Sequence, residues 1–84
     1  MNERDLTINY IETGERIREL RKEAGLTVEK LAEKIGVGVR VVYKWQSGEI
    51  VPKVEHLYAL SVLFHVSIEY ILTGRHPWEF GYTG

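Results

Sequence analysis

The chain of 84 residues contains no cysteine, two prolines and one methionine. The absence of cysteine excludes disulfides, thiol nucleophiles and thiolate zinc sites. No apolar run approaches the roughly 18 residues that span a membrane. The first residues, MNERDL, do not have the pattern of a secretory signal. We therefore expect one small domain in a soluble cytoplasmic protein, with no bound metal or cofactor.

Neither sign of charge is in large excess, since the formal net charge is −1. The charges are nevertheless unevenly distributed along the chain. Residues 25–53 carry five Lys or Arg against three Glu, a balance of +2, whereas residues 1–24 carry −1 and residues 54–84 carry −2. This modest positive excess does not predict strong non-specific affinity for nucleic acid at physiological salt.

The segment 27–48 has the pattern of two short helices joined by a glycine turn. Apolar residues recur first four and then three positions apart, which places each pair on one face of a helix. These pairs are Leu31 with Ile35 and Val42 with Trp45. Gly36 stands at the turn, where glycine adopts the left-handed conformation at low cost. Two helices arranged in this way are the unit that places a helix in the major groove of DNA.

The flanking sequence predicts three more helices, so that the fold class is all-α with five short helices around one core. Caps, glycines and apolar spacing set the expected boundaries. The ranges are a first helix within residues 8–24, a second after Thr27, a third from Gly38 to Ser47, a fourth over residues 53–64 and a fifth from Ser67 to Gly74. A short extended tail follows the last helix.

The order of these features resembles the Cro/cI-like (Xre-type) helix-turn-helix family. The family's small, glycine, β-branched and bulky apolar positions are filled here by Ala32, Gly36, Val42 and Trp45. The resemblance implies a lambda-repressor-like DNA-binding domain over residues 11–74, between an extension (1–10) and a tail (75–84). It also implies a sequence-specific transcriptional regulator, a repressor that binds a palindromic operator in double-stranded DNA as a homodimer, and not an enzyme.

By the same resemblance, the start of the third helix contacts the DNA bases. The matched residues are Gly38, Val39, Arg40, Tyr43 and Lys44. Arg40 suits a bidentate contact with guanine, and Lys44 suits a guanine or a phosphate. The predicted contacts with the DNA backbone are Thr27, Val28, Gln46, Ser47 and Lys53. Helix capping is an equal alternative for Thr27 and Ser47.

Three valines depart from the family pattern and support a second interpretation. Val28 stands where glutamine is common, and Val39 and Val41 stand where polar residues are usual. Val39 and Val41 could contact thymine methyl groups. Alternatively, Val28, Val39 and Val41 form an apolar patch of a protein–protein interaction module, such as an antitoxin or a regulatory adaptor.

The titratable residues do not form a recognisable catalytic or metal site. The three histidines are nine and eleven positions apart, which does not match the spacing of zinc ligands. Carboxylates one turn apart, Glu15 with Glu19 and Glu29 with Glu33, lie beside Lys or Arg. We expect these residues to form an ion-paired helix surface.

The tail differs from the rest of the chain because Trp78, Phe80 and Tyr82 alternate with other residues, which is a strand period. Pro77 prevents a simple extension of the fifth helix. The tail could cover the fifth helix of its own subunit, or it could reach across a two-fold axis as a dimer arm. The sequence slightly favours the dimer arm, because a protein that binds a palindromic DNA site needs a means of dimerisation.

Overall fold

The computed structural model describes residues 7–76, which contain five α-helices. They are α1 (Tyr10–Glu23), α2 (Val28–Ile35), α3 (Val39–Ser47), α4 (Val54–Phe64) and α5 (Ile68–Thr73). The predicted all-α fold and the order of its helices are confirmed. Within the described residues, no helix has the length and apolar character that crossing a membrane requires. The aromatic residues of the tail lie outside the described residues.

Local signals at the helix ends explain most of the boundaries. The side chains of Thr27 and Ser67 accept hydrogen bonds from the amides of Lys30 and Tyr70, at 3.0 and 2.9 Å, and so cap α2 and α5. Asn9 caps α1 in the same way. Glycines in the left-handed conformation end α2, α3 and α5, whereas α4 ends at His65, a non-glycine residue with φ of 56°.

The core is made by the apolar faces of all five helices. Its buried members are Ile17, Val28, Leu31, Ala32, Val42, Trp45, Leu57, Leu60 and Ile71. Trp45 is only 1% exposed, and its ring lies 5.8 Å from that of His56. Val42 and Trp45 therefore form the inner face of α3, as their spacing predicts.

Helix α1 packs against both α3 and α5. A Cβ atom on Gly14 would lie 2.8 Å from the Gln46 carbonyl oxygen, so the backbones of α1 and α3 are in direct contact. At the other side of α1, the Thr13 hydroxyl donates a 2.9 Å hydrogen bond to the carbonyl of Leu72. Arg16 donates a 2.8 Å hydrogen bond to the carbonyl of Ile71. These two bonds satisfy carbonyl groups that the end of a helix leaves unpaired.

The expected ion-paired surface is much smaller than predicted. In residues 7–76, the ion pair that forms joins Lys30 to Glu33 across 3.7 Å, and both side chains are exposed. Glu15, Glu19 and Glu29 form no ion pair within this part of the chain. The prediction was wrong for these residues because long surface side chains gain little from pairing in water.

Candidate nucleic-acid interface

The outer face of α3 brings together several of the predicted base-contacting side chains. Because Val42 and Trp45 point inward, Arg40 and Tyr43 are exposed and Lys44 is half-buried. A shallow depression on this face is lined by Arg40, Tyr43, Lys44, Ser47 and Glu49. An arginine, a lysine and a phenol, each of which can donate hydrogen bonds, are therefore grouped with the Ser47 hydroxyl on one solvent-facing surface.

The start of α3 is open to approach. Gly38 is the N-cap residue of α3, and no side chain accepts a hydrogen bond from the first amides of the helix. Apart from its two chain neighbours, no residue has an atom within 4 Å of the position that a Cβ on Gly38 would occupy. The unpaired amides can therefore donate hydrogen bonds to an anion, which the positive end of the helix dipole also attracts.

The apolar patch predicted from three valines does not form. Val28, the first residue of α2, is 7% exposed and belongs to the core. Val39 and Val41 are half-buried and pack against the same core. The burial of these side chains adds apolar contact area to the core. Val28 can therefore contact a DNA backbone only through its main-chain amide.

The other predicted backbone contacts lie at helix ends. The Thr27 hydroxyl accepts the cap hydrogen bond of α2, which confirms the capping role. The Ser47 hydroxyl donates a 3.2 Å hydrogen bond to the carbonyl of Lys44, so it stabilises the last turn of α3. Lys53 is exposed and precedes α4, whose first amides also lack a side-chain cap.

Gln46 has a structural partner that the sequence did not reveal. Arg21 of α1 donates through Nε to Oε1 of Gln46 at 2.8 Å and through Nη1 to the carbonyl of Leu26 at 2.7 Å. Arg21 therefore joins α1, the turn before α2, and α3. The sequence does contain one signal for this contact. Arg21 follows the buried Ile17 by four residues, and this spacing places Arg21 on the inner face of α1. The amide nitrogen of Gln46 is not used in this bond.

The charges on the outer face of α3 are not neutralised by neighbours. Arg40, Lys44 and Lys53 form no ion pair within the described residues. Glu49, at the edge of the depression, is the one acidic residue in its lining. No group of three or more metal-ligating side chains occurs in residues 7–76. The unpaired cationic side chains therefore suit contact with an extended polyanion.

Comparison with protein families gives a match over most of this fold. The family model described as helix-turn-helix matches residues 17–71, which runs from the middle of α1 into α5. The transcriptional activator BcrR of Enterococcus faecalis is 38% identical over 65 residues, which are 77% of this chain and 32% of that protein. The chain spans between about a third and about half of the length of the first curated relatives it matches, at 32%, 52% and 46%.

Two solved structures show the same arrangement of helices. The P22 c2 repressor, determined in complex with a synthetic operator, superposes with a TM-score of 0.71 at 35% identity, covering 75% of this chain and 96% of that one. The biofilm regulator SinR, determined in complex with DNA, has a TM-score of 0.64 at 30% identity, covering 70% and 95%.

Proposed function

The chain belongs to the helix-turn-helix family, and from this premise we propose that it is a sequence-specific DNA-binding transcriptional regulator. The observation that carries the proposal is the outer face of α3, where Arg40, Tyr43 and Lys44 are exposed or half-exposed around one depression. A helix of nine residues carrying such donors has the size and chemistry to enter a major groove.

Each predicted contact has a distinct role in this proposal. Arg40 reads guanine through two parallel hydrogen bonds, and Tyr43 and Lys44 contact neighbouring bases or phosphates. Gly38 lets a phosphate or base approach the first amides of α3, while Val39 offers its remaining exposed surface to a thymine methyl group. The amides of α2 and α4 near Thr27 and Lys53, together with Ser47 and the free amide nitrogen of Gln46, contact the DNA backbone.

Repression is the form of regulation that we propose. Occupying an operator requires only binding, which is the activity that the described residues are equipped to perform. The P22 c2 repressor, whose structure with an operator is similar to this fold, supports this choice. Activation would need a further surface that contacts the transcription machinery.

We further propose that the protein acts as a homodimer in the cytoplasm. One α3 reads only a few base pairs, and two copies related by a two-fold axis would read a palindrome in successive major grooves. The cytoplasmic location follows from the proposed DNA target. No enzymatic step forms part of this function.

The alternative, a protein–protein interaction module using Val28, Val39 and Val41, is less well supported. The Val28 side chain is buried in the core, and those of Val39 and Val41 are partly buried against it. The remaining exposed surface of α3 is polar and basic, which favours a nucleic acid over an apolar partner.

Salt dependence of binding tests the DNA-binding part of the proposed function. We would measure the affinity of the purified chain for a labelled random-sequence duplex by fluorescence anisotropy. The salt concentration would run from about 50 to about 200 mM, the range over which phosphate contacts lose much of their affinity. Contacts with about three phosphates per protomer predict a loss of affinity with a log–log slope near −3 for each protomer bound. Binding that is absent at the lowest salt, or that does not change with salt, would contradict the proposal.

A further inference from the structure

The outer face of α4 carries an apolar stripe that the DNA-binding proposal does not use. It consists of Val54, Tyr58 and Val62, which are 78%, 64% and 55% exposed, respectively. The one other exposed residue of α4, Glu55, is the only Asp, Glu, Lys or Arg in this helix. The opposite face is also apolar and supplies two buried leucines to the core. A helix that is apolar on all sides is normally buried, so the stripe indicates a surface that a partner covers.

The stripe has the same order of side chains from either end of the helix. Tyr58 lies four residues from Val54 and four from Val62, which is about 6 Å along the axis in each direction. A two-fold axis at Tyr58 therefore brings this residue against its equivalent in a second copy, and each valine against the other valine. A symmetric dimer requires such a self-complementary patch, whereas a foreign partner does not. The stripe thus favours a second copy of this chain as its occupant.

The charges at the ends of α4 favour an antiparallel pair over a parallel one. Lys53 is exposed at the N-terminal end, where the helix dipole is also positive. A parallel pair would hold these two positive ends about 8–10 Å apart, the usual distance between packed helices. An antiparallel pair separates them by about 15 Å along the axes and places each beside the negative C-terminal end of the other helix. Two separate Lys53 ends also suit the proposed contacts with two half-sites.

The stripe has the size of a small interface. A tyrosine can bury about 150–250 Å². Three side chains per copy keep the total below about 1,200 Å², which is the range of weak and transient interfaces. The two half-sites of one operator would strengthen such an association, because bound DNA raises the effective concentration of one copy beside the other.

We propose that α4 is the surface through which two copies of this chain associate, antiparallel about a two-fold axis at Tyr58. The rows of side chains spaced by four residues then interdigitate, which is the commonest packing of two helices and sets a crossing angle of about 50°. The proposal rests on the homodimer of the proposed function and names the surface that forms it.

Cysteine cross-linking tests the proposed surface, because the natural chain has no cysteine that would interfere. A disulfide needs two Cα atoms within about 7 Å of each other. Tyr58→Cys should form covalent dimers on mild oxidation, since the two-fold axis brings the new thiol against its own equivalent. Arg18→Cys is the control for random collisions, because Arg18 is exposed on α1. We expect covalent dimers to form several-fold faster in the Tyr58→Cys protein, and equal rates would overturn the proposal.

Two further proteins test the antiparallel register. Val54→Cys alone and Val62→Cys alone should cross-link no faster than Arg18→Cys, because about 12 Å along the helix axes separates each residue from its equivalent. A mixture of the two proteins should form mixed dimers about as readily as Tyr58→Cys forms its own. Rapid dimers of Val62→Cys alone would mean a parallel pair and would overturn the proposed arrangement.

Sedimentation equilibrium of the unmodified full chain without DNA separates this proposal from the homodimer itself. We expect a dimer whose dissociation constant lies between about 1 μM and about 1 mM. Val62→Glu should raise this constant about tenfold or more, because it places two carboxylates in an apolar interface. Tyr43→Glu is the matched control for self-association, since Tyr43 is 52% exposed but lies on α3. The control should leave the constant unchanged.

The outcomes separate the surface from the dimer. A chain that dimerises although Tyr58→Cys does not cross-link would keep the homodimer and overturn the role of α4. A chain that stays monomeric up to about 1 mM would overturn both. A Tyr58→Cys thiol that reacts neither with a second copy nor with a soluble thiol reagent would mean that another part of the same chain covers the stripe, which also overturns the proposal.

Discussion

The carbonyl oxygen of Trp45 occupies the space in which a side chain on Gly14 would lie. The backbones of α1 and α3 therefore touch at this point, while the indole of Trp45 fills the core from the same residue. The hydrogen bond between Arg21 and Gln46 joins the same two helices about two turns further along α1. The position of the proposed recognition helix is thus set mainly by α1.

Replacing Gly14 by Ala should destabilise the domain strongly. The new methyl group would meet main-chain atoms of α3, which cannot move as a flexible side chain can. We expect a net loss of about 2–4 kcal/mol, after allowing for the better helix propensity of alanine. Chemical denaturation measures this loss. Gly38→Ala is the matched control, because its Cβ would meet no atom within 4 Å other than those of its chain neighbours, and it should change stability by less than about 1 kcal/mol. Equal losses would contradict the backbone contact.

The hydrogen bond from Arg21 to Gln46 should be measurable as a coupling energy. A double-mutant cycle of Arg21→Ala and Gln46→Ala should give about 1–2 kcal/mol, because the donor is charged and the bond is partly buried. Arg21→Ala alone should cost more than Gln46→Ala, since it also leaves the carbonyl of Leu26 without its partner. A coupling energy near zero would mean that the two side chains act independently.

The boundaries of the helices could be predicted because their signals are local. Thr27 and Ser67 cap the helix that directly follows each of them, and Gly36 ends the helix that directly precedes it. The inner face of α3 was also predictable, since the spacing of Val42 and Trp45 is enough to define it.

The contacts that hold the helices together could not be predicted in the same way. Thr13 and Arg16 bond carbonyl groups 59 and 55 residues away, and no local pattern encodes such partners. The burial of Val28 was missed for a related reason. A comparison with family positions assigns Val28 to the surface. In this chain, however, the Val28 side chain is buried where α2 packs against the rest of the core. The assignment of base and backbone contacts stays a prediction.

Replacing Arg40 by Ala should weaken specific DNA binding without unfolding the domain, because the side chain is exposed. If Arg40 reads guanine, the loss is about 1–3 kcal/mol per half-site, and the preference at one base pair should relax. Arg18→Ala removes the same charge from the exposed surface of α1 and should leave the preference unchanged. Quantitative binding to single-base variants of a preferred site distinguishes these outcomes, and equal behaviour of the two variants would remove Arg40 from the readout.

Replacing His65 by Gly should stabilise the protein. His65 ends α4 with φ of 56°, a conformation in which a Cβ atom is unfavourable. Glycine relieves this cost but increases the freedom of the unfolded chain, so we expect a net gain of up to about 1 kcal/mol. Thermal denaturation measures the gain. A loss of stability would mean that the imidazole makes contacts worth more than the relief of strain.

The measurement that tests the DNA-reading role of α3 most directly is selection of bound duplexes from a random DNA pool by the full chain. We predict enrichment of an inverted repeat whose half-sites are about one helical turn apart, with a guanine in each half-site whose enrichment disappears in the Arg40→Ala protein. A pool that stays random after repeated rounds, or an enriched motif that Arg40→Ala leaves unchanged, would contradict the account.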